Sequence, residues 1–453
     1  MKVERVFRSR RVVLADGVRS ASVFVEDGRI ARLGDLSADP ARGEVLDFGG
    51  AVLMPGLVDS HVHVNEPGRT EWEGFETATR ASAAGGVTTI CDMPLNSVPV
   101  TTTPEAVEVK VAAASRVARV DFALWGGLVP ANVNALAPLL GAGLPGCKCF
   151  LVPSGIDEFP NVAREDLEAA MPVLARLGAV LLVHAELPGP IEAAEAASAP
   201  GDGRRYATWL SSRPHESEDE AIALLVDLAE RSGCRVHVVH LSSADALPGL
   251  RAARARGVPV TVETCPHYLT FAAQEIGDGR TEFKCAPPIR ERENRERLWE
   301  GLRDGTIDMV VSDHSPCTPE LRRMDSGDYR AAWGGIASLQ LGLSAVWTEA
   351  RARGFGLGDV SQWMCERPAR LAGLADRKGA LAPGRDADLV VWYPDEEFSV
   401  TPALLRHRHK VTPYAGRSLF GRVEATYLRG EPVFDRGAFP GPPRGRWLRA
   451  GPR

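Results

Sequence analysis

Long hydrophobic runs are missing from this 453-residue chain. No stretch of about 18 apolar residues occurs, so no bilayer-spanning helix is expected. The most apolar stretch, 135–147, is broken by Gly and Pro and stops at Lys148. The start, Met1 to Arg10, carries charges but no apolar core of a secretory signal, which points to the cytoplasm. Cysteine is sparse: eight residues, none in a Cys-x-x-Cys pair, so reduced and mostly buried thiols are expected. Neither sign of charge dominates. The net charge of −6 and pI near 6.0 give no global field for nucleic acid or an acidic membrane. No Gly-x-Gly-x-x-Gly follows an early strand, so nothing suggests a dinucleotide site. Internal repeats and low-complexity blocks are absent.

What is present is enough to fold. Apolar residues are 44% and charged residues 25%, which excludes wholesale disorder. Gly (45) and Pro (33) make up about 17% of the chain, above the usual share, so tight loops are expected. The first fifty residues read as short strands at 11–14, 21–26, 30–33 and 45–48, punctuated by Asp16-Gly17, Asp27-Gly28 and Gly49-Gly50. After Pro55 eight nearly continuous apolar runs recur: 57–63, 86–93, 120–126, 146–152, 180–185, 236–241, 258–264 and 309–313. Such runs suit strands buried on both faces. The segments between them carry helical spacing, as in 221–230, which ends at Gly233 as a C-terminal glycine. Eight strand–helix units predict a (β/α)8 barrel, with a doubly wound α/β fold as the alternative. Strand patterns return at 388–393 and 423–428, with a turn at 429–432. The expected organisation is a small β domain from residues 1–53 and 375–453, flanking a barrel over 54–374. The Gly/Pro/Arg-rich end, 440–453, reads as a loose or subunit-contacting tail.

The ten histidines are informative. His61 and His63 lie two apart at the end of the first barrel strand, so both imidazoles share a face. His184, His240 and Asp313 end strands five, six and eight, and Lys148 sits inside the apolar fourth strand. In a barrel the C-terminal strand ends converge on one mouth. Taken singly, these residues are also what hydrogen-bonded core histidines and a loop-capping Asp look like. Together they point to one metal-binding cup, and imidazole with carboxylate suits Zn, Mn, Co or Fe. Lys148, desolvated beside a cation cluster, has its pKa lowered. Its neutral amine can capture CO2 as a carbamate able to bridge two metals; an ion-paired or snorkelling lysine is the other reading. His237 reads as structural, His267 and His314 as supporting residues near the mouth, and His215, His407 and His409 as surface.

The segment Gly56-Leu57-Val58-Asp59-Ser60-His61-Val62-His63, followed in order by Lys148, His184, His240 and Asp313, resembles the cyclic amidohydrolases of the amidohydrolase superfamily. Within them it is most similar to the allantoinase family, through residues 65–74, 93–96, 146–150, 312–317, 332–336 and 378–389. The resemblance implies a distorted TIM-type barrel with two divalent metals. Zn is expected, with Co, Mn or Ni as alternatives. His61, His63 and Asp313 would hold one ion, His184 and His240 the other, with carboxylated Lys148 between them. It implies ring opening of allantoin to allantoate, with Asp313 moving the proton, and substrate contacts at Asn96, Ala286, Ser315 and Gly334. Dihydroorotases typically carry Arg at the place of Asn65, and hydantoinases a Tyr in the loop after the fourth strand, where this chain reads Pro153-Ser154-Gly155-Ile156-Asp157-Glu158. Both sister activities remain alternatives, as does a non-catalytic scaffold. A homotetramer acting on a small molecule, without nucleic acid or membrane, completes the expectation. The charged stretch 318–332 reads as a mobile lid or a solvated loop.

Overall fold

A computed structural model describes residues 5–38, 43–197 and 201–450. Five strands come first: β1 (Arg5–Leu14), β2 (Gly17–Glu26), β3 (Arg29–Gly34), β4 (Glu44–Asp47) and β5 (Val52–Pro55). The barrel strands follow: β6 (Leu57–Val62), β7 (Val87–Asp92), β8 (Asp121–Leu124), β9 (Gly126–Gly127), β10 (Gly146–Phe150), β11 (Val180–His184), β12 (Arg235–Val238), β13 (Val260–Thr264) and β14 (Met309–Val310). The chain closes with β15 (Leu389–Ser399), β16 (Ser418–Leu428) and β17 (Glu431–Asp435).

The strands from both ends form one sheet in the order β17-β16-β15-β5-β1-β2-β3, with β4 beside β1. Its tight turns follow residue chemistry. Asp27 and Gly28 are both left-handed (φ 50° and 72°), as two-residue hairpins require. Arg429 and Gly430 do the same (φ 50° and 75°), so the turn is shorter than the expected 429–432 and Pro432 already lies in β17. The amino-terminal strand also begins earlier than the expected 11–14, because Arg5–Ser9 already pair with residues 21–25 of β2.

All pairs among the barrel strands are parallel, and their residues are almost uniformly buried, as strands covered on both faces must be. The expected run 120–126 is one strand bent between β8 and β9, which divides the barrel into β6-β7-β8 and β14-β13-β12-β11-β10-β9. This is the distortion expected of the barrel. Closure between β14 and β6 uses few ladder bonds. The Ser312 amide donates to both oxygens of the buried Asp59 carboxylate at 3.2 Å, and His314 bridges Val62. Burial pushes Asp59 up to about 6. Outer helices start and stop on local signals. Thr103 caps Pro104–Val117 by accepting from the Ala106 amide, and Gly233 at φ 69° ends His215–Ser232.

A buried ionic cluster ties sheet to barrel. Lys378 Nζ lies 2.7 Å from Asp121 of β8, 2.6 Å from Asp388 and 3.0 Å from Asp386. Arg429 reaches Asp121 at 2.5 Å. The same Asp121 accepts from the Arg446 amide, and Trp447 forms a bridge to Phe122, with Leu448 buried. The basic tail is therefore docked on the barrel through residue 450, which corrects the loose alternative of the expected loose or subunit-contacting tail; 451–453 lie outside the described residues. The 318–332 segment is also anchored. Tyr329 is fully buried with its hydroxyl donating to Arg280 O at 2.9 Å, and Arg322 donates to Trp333 O and Ser315 O.

Candidate active site

One cavity of about 270 Å³ opens at the C-terminal end of the barrel strands. His61, His63, Lys148, His184, His240, Asp313, Asn96, Ala286, Ser315 and Gly334 all line it. The ladder delivers His61, Lys148 and His184 directly, from β6, β10 and β11. His240 and Asp313 lie beyond the last paired residues of β12 and β14, and both are left-handed (φ 39° and 43°). Asn65 and Asn96 share this conformation at φ 66°. Non-glycine residues held there cost about 1–3 kcal/mol each and concentrate at functional sites. The kinks turn the chain where a strand would carry the side chains away.

Three groups converge closely. His61 Nε2 and His63 Nε2 lie 3.3 and 3.5 Å from Asp313 Oδ1. The other ring nitrogen of His61 is 2.5 Å from Glu263 Oε1. An ionised carboxylate only accepts, so in a neutral His61 the proton sits at Nδ1 and a bare lone pair turns toward Asp313. His61 Nε2 has no hydrogen-bond partner among the described residues. A contact of about 3.3 Å between a lone pair and a carboxylate oxygen is repulsive unless a cation lies between them. The edge of a tetrahedral site with bonds of ~2.1 Å is about 3.4 Å, which these separations match. The donor set and its spacing therefore fit a divalent ion. His184 Nδ1 and His240 Nε2 are 3.1 Å apart, and His184 Nε2 meets Glu186 Oε2 at 2.6 Å, so a carboxylate backs that pair too.

Burial governs the electrostatics. It lowers His63, His184 and His240, toward the neutral form that binds cations. Burial opposes ionisation of Asp313, but His61, His63 and His240 outweigh it and hold the carboxyl far below its usual range. Burial also opposes the charge on Glu186 and Glu263. Arg213 and His184 bring the first to about 2, and His61 and His237 bring the second to about 2. Lys148 is wholly buried, its Nζ without a hydrogen-bond partner among the described residues and 4.8 Å above the Phe150 ring. Burial pushes it down to about 8.

The other expected residues divide. Asn65 is not among the residues lining the cavity, and its amide donates to Pro316 O at 3.4 Å. His237 is structural as expected, and it backs Glu263 at 2.9 Å. His314 bonds the neighbouring backbone and lies 3.4 Å from the buried Glu73. His407 is buried against His314 and not on the surface, because the 405–408 segment folds over Glu73, where the Arg408 amide donates to its carboxylate. His215 is half-buried and bonded to Ser243. Sequence reasoning missed Glu186, two residues past β11, and Glu263, although a carboxylate inside an apolar strand such as β13 is the same signal that marked Lys148. It also assigned no role to the side chains of the outer wall, Trp209, Arg213, Lys284 and Trp333. Arg213 is engaged by Glu186 at 2.6 Å, and Lys284 donates to Ala332 O at 2.5 Å.

Fold and site define the class: a barrel enzyme whose mouth gathers four histidines, a lysine and an aspartate. The chain belongs to the Amidohydrolase family, whose pattern matches residues 52–433. It is 54% identical to an allantoinase of Streptomyces avermitilis, over 98% of each chain. It is 45% identical to an allantoinase of Arabidopsis thaliana, over 95% of this chain and 88% of that one. Among solved structures, an L-hydantoinase (dihydropyrimidinase) from Arthrobacter aurescens superposes with a TM-score of 0.92 at 31% identity, covering 99% of this chain and all of the other.

Proposed function

We propose that this protein is a cyclic amide hydrolase that opens allantoin to allantoate in purine catabolism. Near full-length identity to allantoinases carries the reading, and the lining of the mouth supports it. His61, His63 and Asp313 would hold one divalent ion, His184 and His240 a second, with Lys148 as a carbamate between them; zinc is the ion we propose. Bound there, such ions supply Lewis-acid polarisation of the amide carbonyl and a water acidic enough to attack near pH 7.

The chain's own residues do the rest. At a pKa of about 8, a share of Lys148 is neutral amine near pH 7.5 and free to add to CO2, releasing one proton. Asp313 accepts the proton of the attacking water at a carboxylate oxygen and passes it to the leaving ring nitrogen. Asn96 Oδ1 is buried without a partner, so it is free to accept a substrate N–H. Ser315 and the backbone at Ala286 and Gly334 would seat the ring, and Trp209 and Trp333 wall off water. The reading extends to a homotetramer and to a reducing cytoplasm, which eight buried cysteines suit. No helix among the described residues is long and apolar enough to cross a membrane. Steady-state comparison of allantoin, dihydrouracil, hydantoin and dihydroorotate, on one preparation of measured metal content, tests the assignment. Allantoin should have the highest kcat/KM; a higher value for dihydrouracil or hydantoin transfers the protein to the hydantoinase activity.

A further inference from the structure

Glu263, the fourth residue of β13, is completely buried, and both of its oxygens are used. Oε1 is 2.5 Å from His61 Nδ1 and also accepts from the His240 amide at 3.3 Å. Oε2 is 2.9 Å from His237 Nε2. The far nitrogen of that ring, His237 Nδ1, is 2.8 Å from Thr261 Oγ1. The chain Thr261–His237–Glu263–His61 therefore runs through the barrel interior and ends at a nitrogen facing the cavity. With both imidazoles neutral, protons can be placed along it in one sense. A carboxylate can only accept, so His237 presents N–H at Nε2 and His61 presents N–H at Nδ1. His237 Nδ1 is left bare and takes the Thr261 hydroxyl proton.

We infer that Glu263 is a positioning residue, which with His237 behind it locks His61 in the Nδ1–H tautomer and keeps Nε2 bare for the metal centre. The inference rests on the metal reading above but not on the substrate. Without Glu263, His61 is free to carry its proton on Nε2, where a cation would have to displace it. His237 in turn holds the carboxylate plane, since an unpartnered Oε2 would let Glu263 rotate away from His61. Partners of this kind typically change metal affinity by roughly 10–100-fold.

The test uses Glu263→Gln and His237→Gln in the full-length, metal-loaded protein. Gln keeps the shape of Glu but offers an amide N–H to one of two imidazoles that already donate. Metal release into excess chelator should be about 10–100-fold faster in Glu263→Gln, and faster by a smaller factor in His237→Gln. Imidazole ¹⁵N spectra should show a solvent-protected His61 Nδ1–H in the unsubstituted protein, with or without metal, and its loss in Glu263→Gln. Circular dichroism separates this from general unfolding. A folded Glu263→Gln protein that releases metal within twofold of the unsubstituted rate overturns the inference. If that variant does not fold, the unsubstituted spectrum decides: a His61 proton on Nε2 overturns the inference, and one on Nδ1 supports it. A protein that binds no metal but keeps the Nδ1–H tautomer refutes the metal reading and leaves the positioning of His61 standing.

Discussion

Replacing Asp313 by Asn separates the chemistry of the site from its architecture. The backbone there is left-handed at φ 43°, a conformation in which Asn is enriched, so the kink after β14 should survive. Volume is conserved and no apolar contact is removed. The melting temperature should therefore move by less than about 4 °C, the shift that ~1 kcal/mol gives in a large domain. What is lost is proton acceptance. Asp313 Oδ1 stands within 3.3–3.5 Å of two imidazole nitrogens, and its carboxyl is held ionised by His61, His63 and His240 against the effect of burial. An amide at that point takes no proton near neutral pH. General acid–base transfer contributes roughly 10²–10⁴-fold, so kcat should fall by that factor, about 3–5 kcal/mol of barrier. The assay is steady-state release of ring-opened product at saturating allantoin, with metal per chain measured on the same sample. If the variant holds two metals and turns over within tenfold of the unsubstituted enzyme, Asp313 is not the proton carrier.

Two further outcomes are expected. Lys148→Ala and Lys148→Arg should both lose metal and activity, because neither side chain can form a carbamate; short-chain carboxylates should partly rescue the Ala variant, and undiminished metal content in the Arg variant would contradict the bridging role. Acid should destabilise the fold through Glu186 and Glu263, whose folded values near 2 lie below the unfolded value of about 4.3. Their stabilisation is fully present above pH ~4.3 and is lost as pH falls toward 2, so chemical denaturation midpoints should drop across that window, and less steeply in Glu186→Gln than in the unsubstituted protein.

The barrel was legible because its strands are buried on both faces and so read as apolar runs with a polar residue at the functional end. His61, Lys148 and His184 were found by that contrast, and the ladder places them on β6, β10 and β11. The bend that divides the third barrel strand into β8 and β9 was not legible, because Trp125 and the glycines after it continue the apolar run. His407 looked like a surface residue because Arg and Lys surround it in sequence. Its burial depends on Glu73, more than 300 positions away, which no local pattern reports. The tail misled for the same reason: its composition is that of a free end, but Asp121 and Phe122 supply the partners that dock it.

Catalytic class and substrate choice are therefore written in different parts of the chain. Of the side chains proposed to hold metal, His61, Lys148 and His184 come from strands, where period and register fix direction, and His240 and Asp313 from the kinks just beyond β12 and β14. The wall that meets the rest of the substrate comes from the segments carrying Asn96, Ser154, Trp209, Arg213, Lys284 and Trp333, whose meeting depends on the closed barrel. Two of these are cations, which at first sight would suit an anionic ring. Yet Arg213 lies 2.6 Å from the buried Glu186, and Lys284 donates to Ala332 O and is pushed by burial down to about 8. Both positive charges are already engaged before any ligand arrives. Holding a substrate carboxylate would mean withdrawing Arg213 from Glu186 and leaving a buried anion beside His184 without its counter-charge, a loss of several kcal/mol for a pair this buried. An uncharged ring with hydrogen-bonding arms makes no such demand. The open acceptor on Asn96 and the backbone at Ala286 and Gly334 can meet it directly, which is why the wall favours the neutral ureide over dihydroorotate.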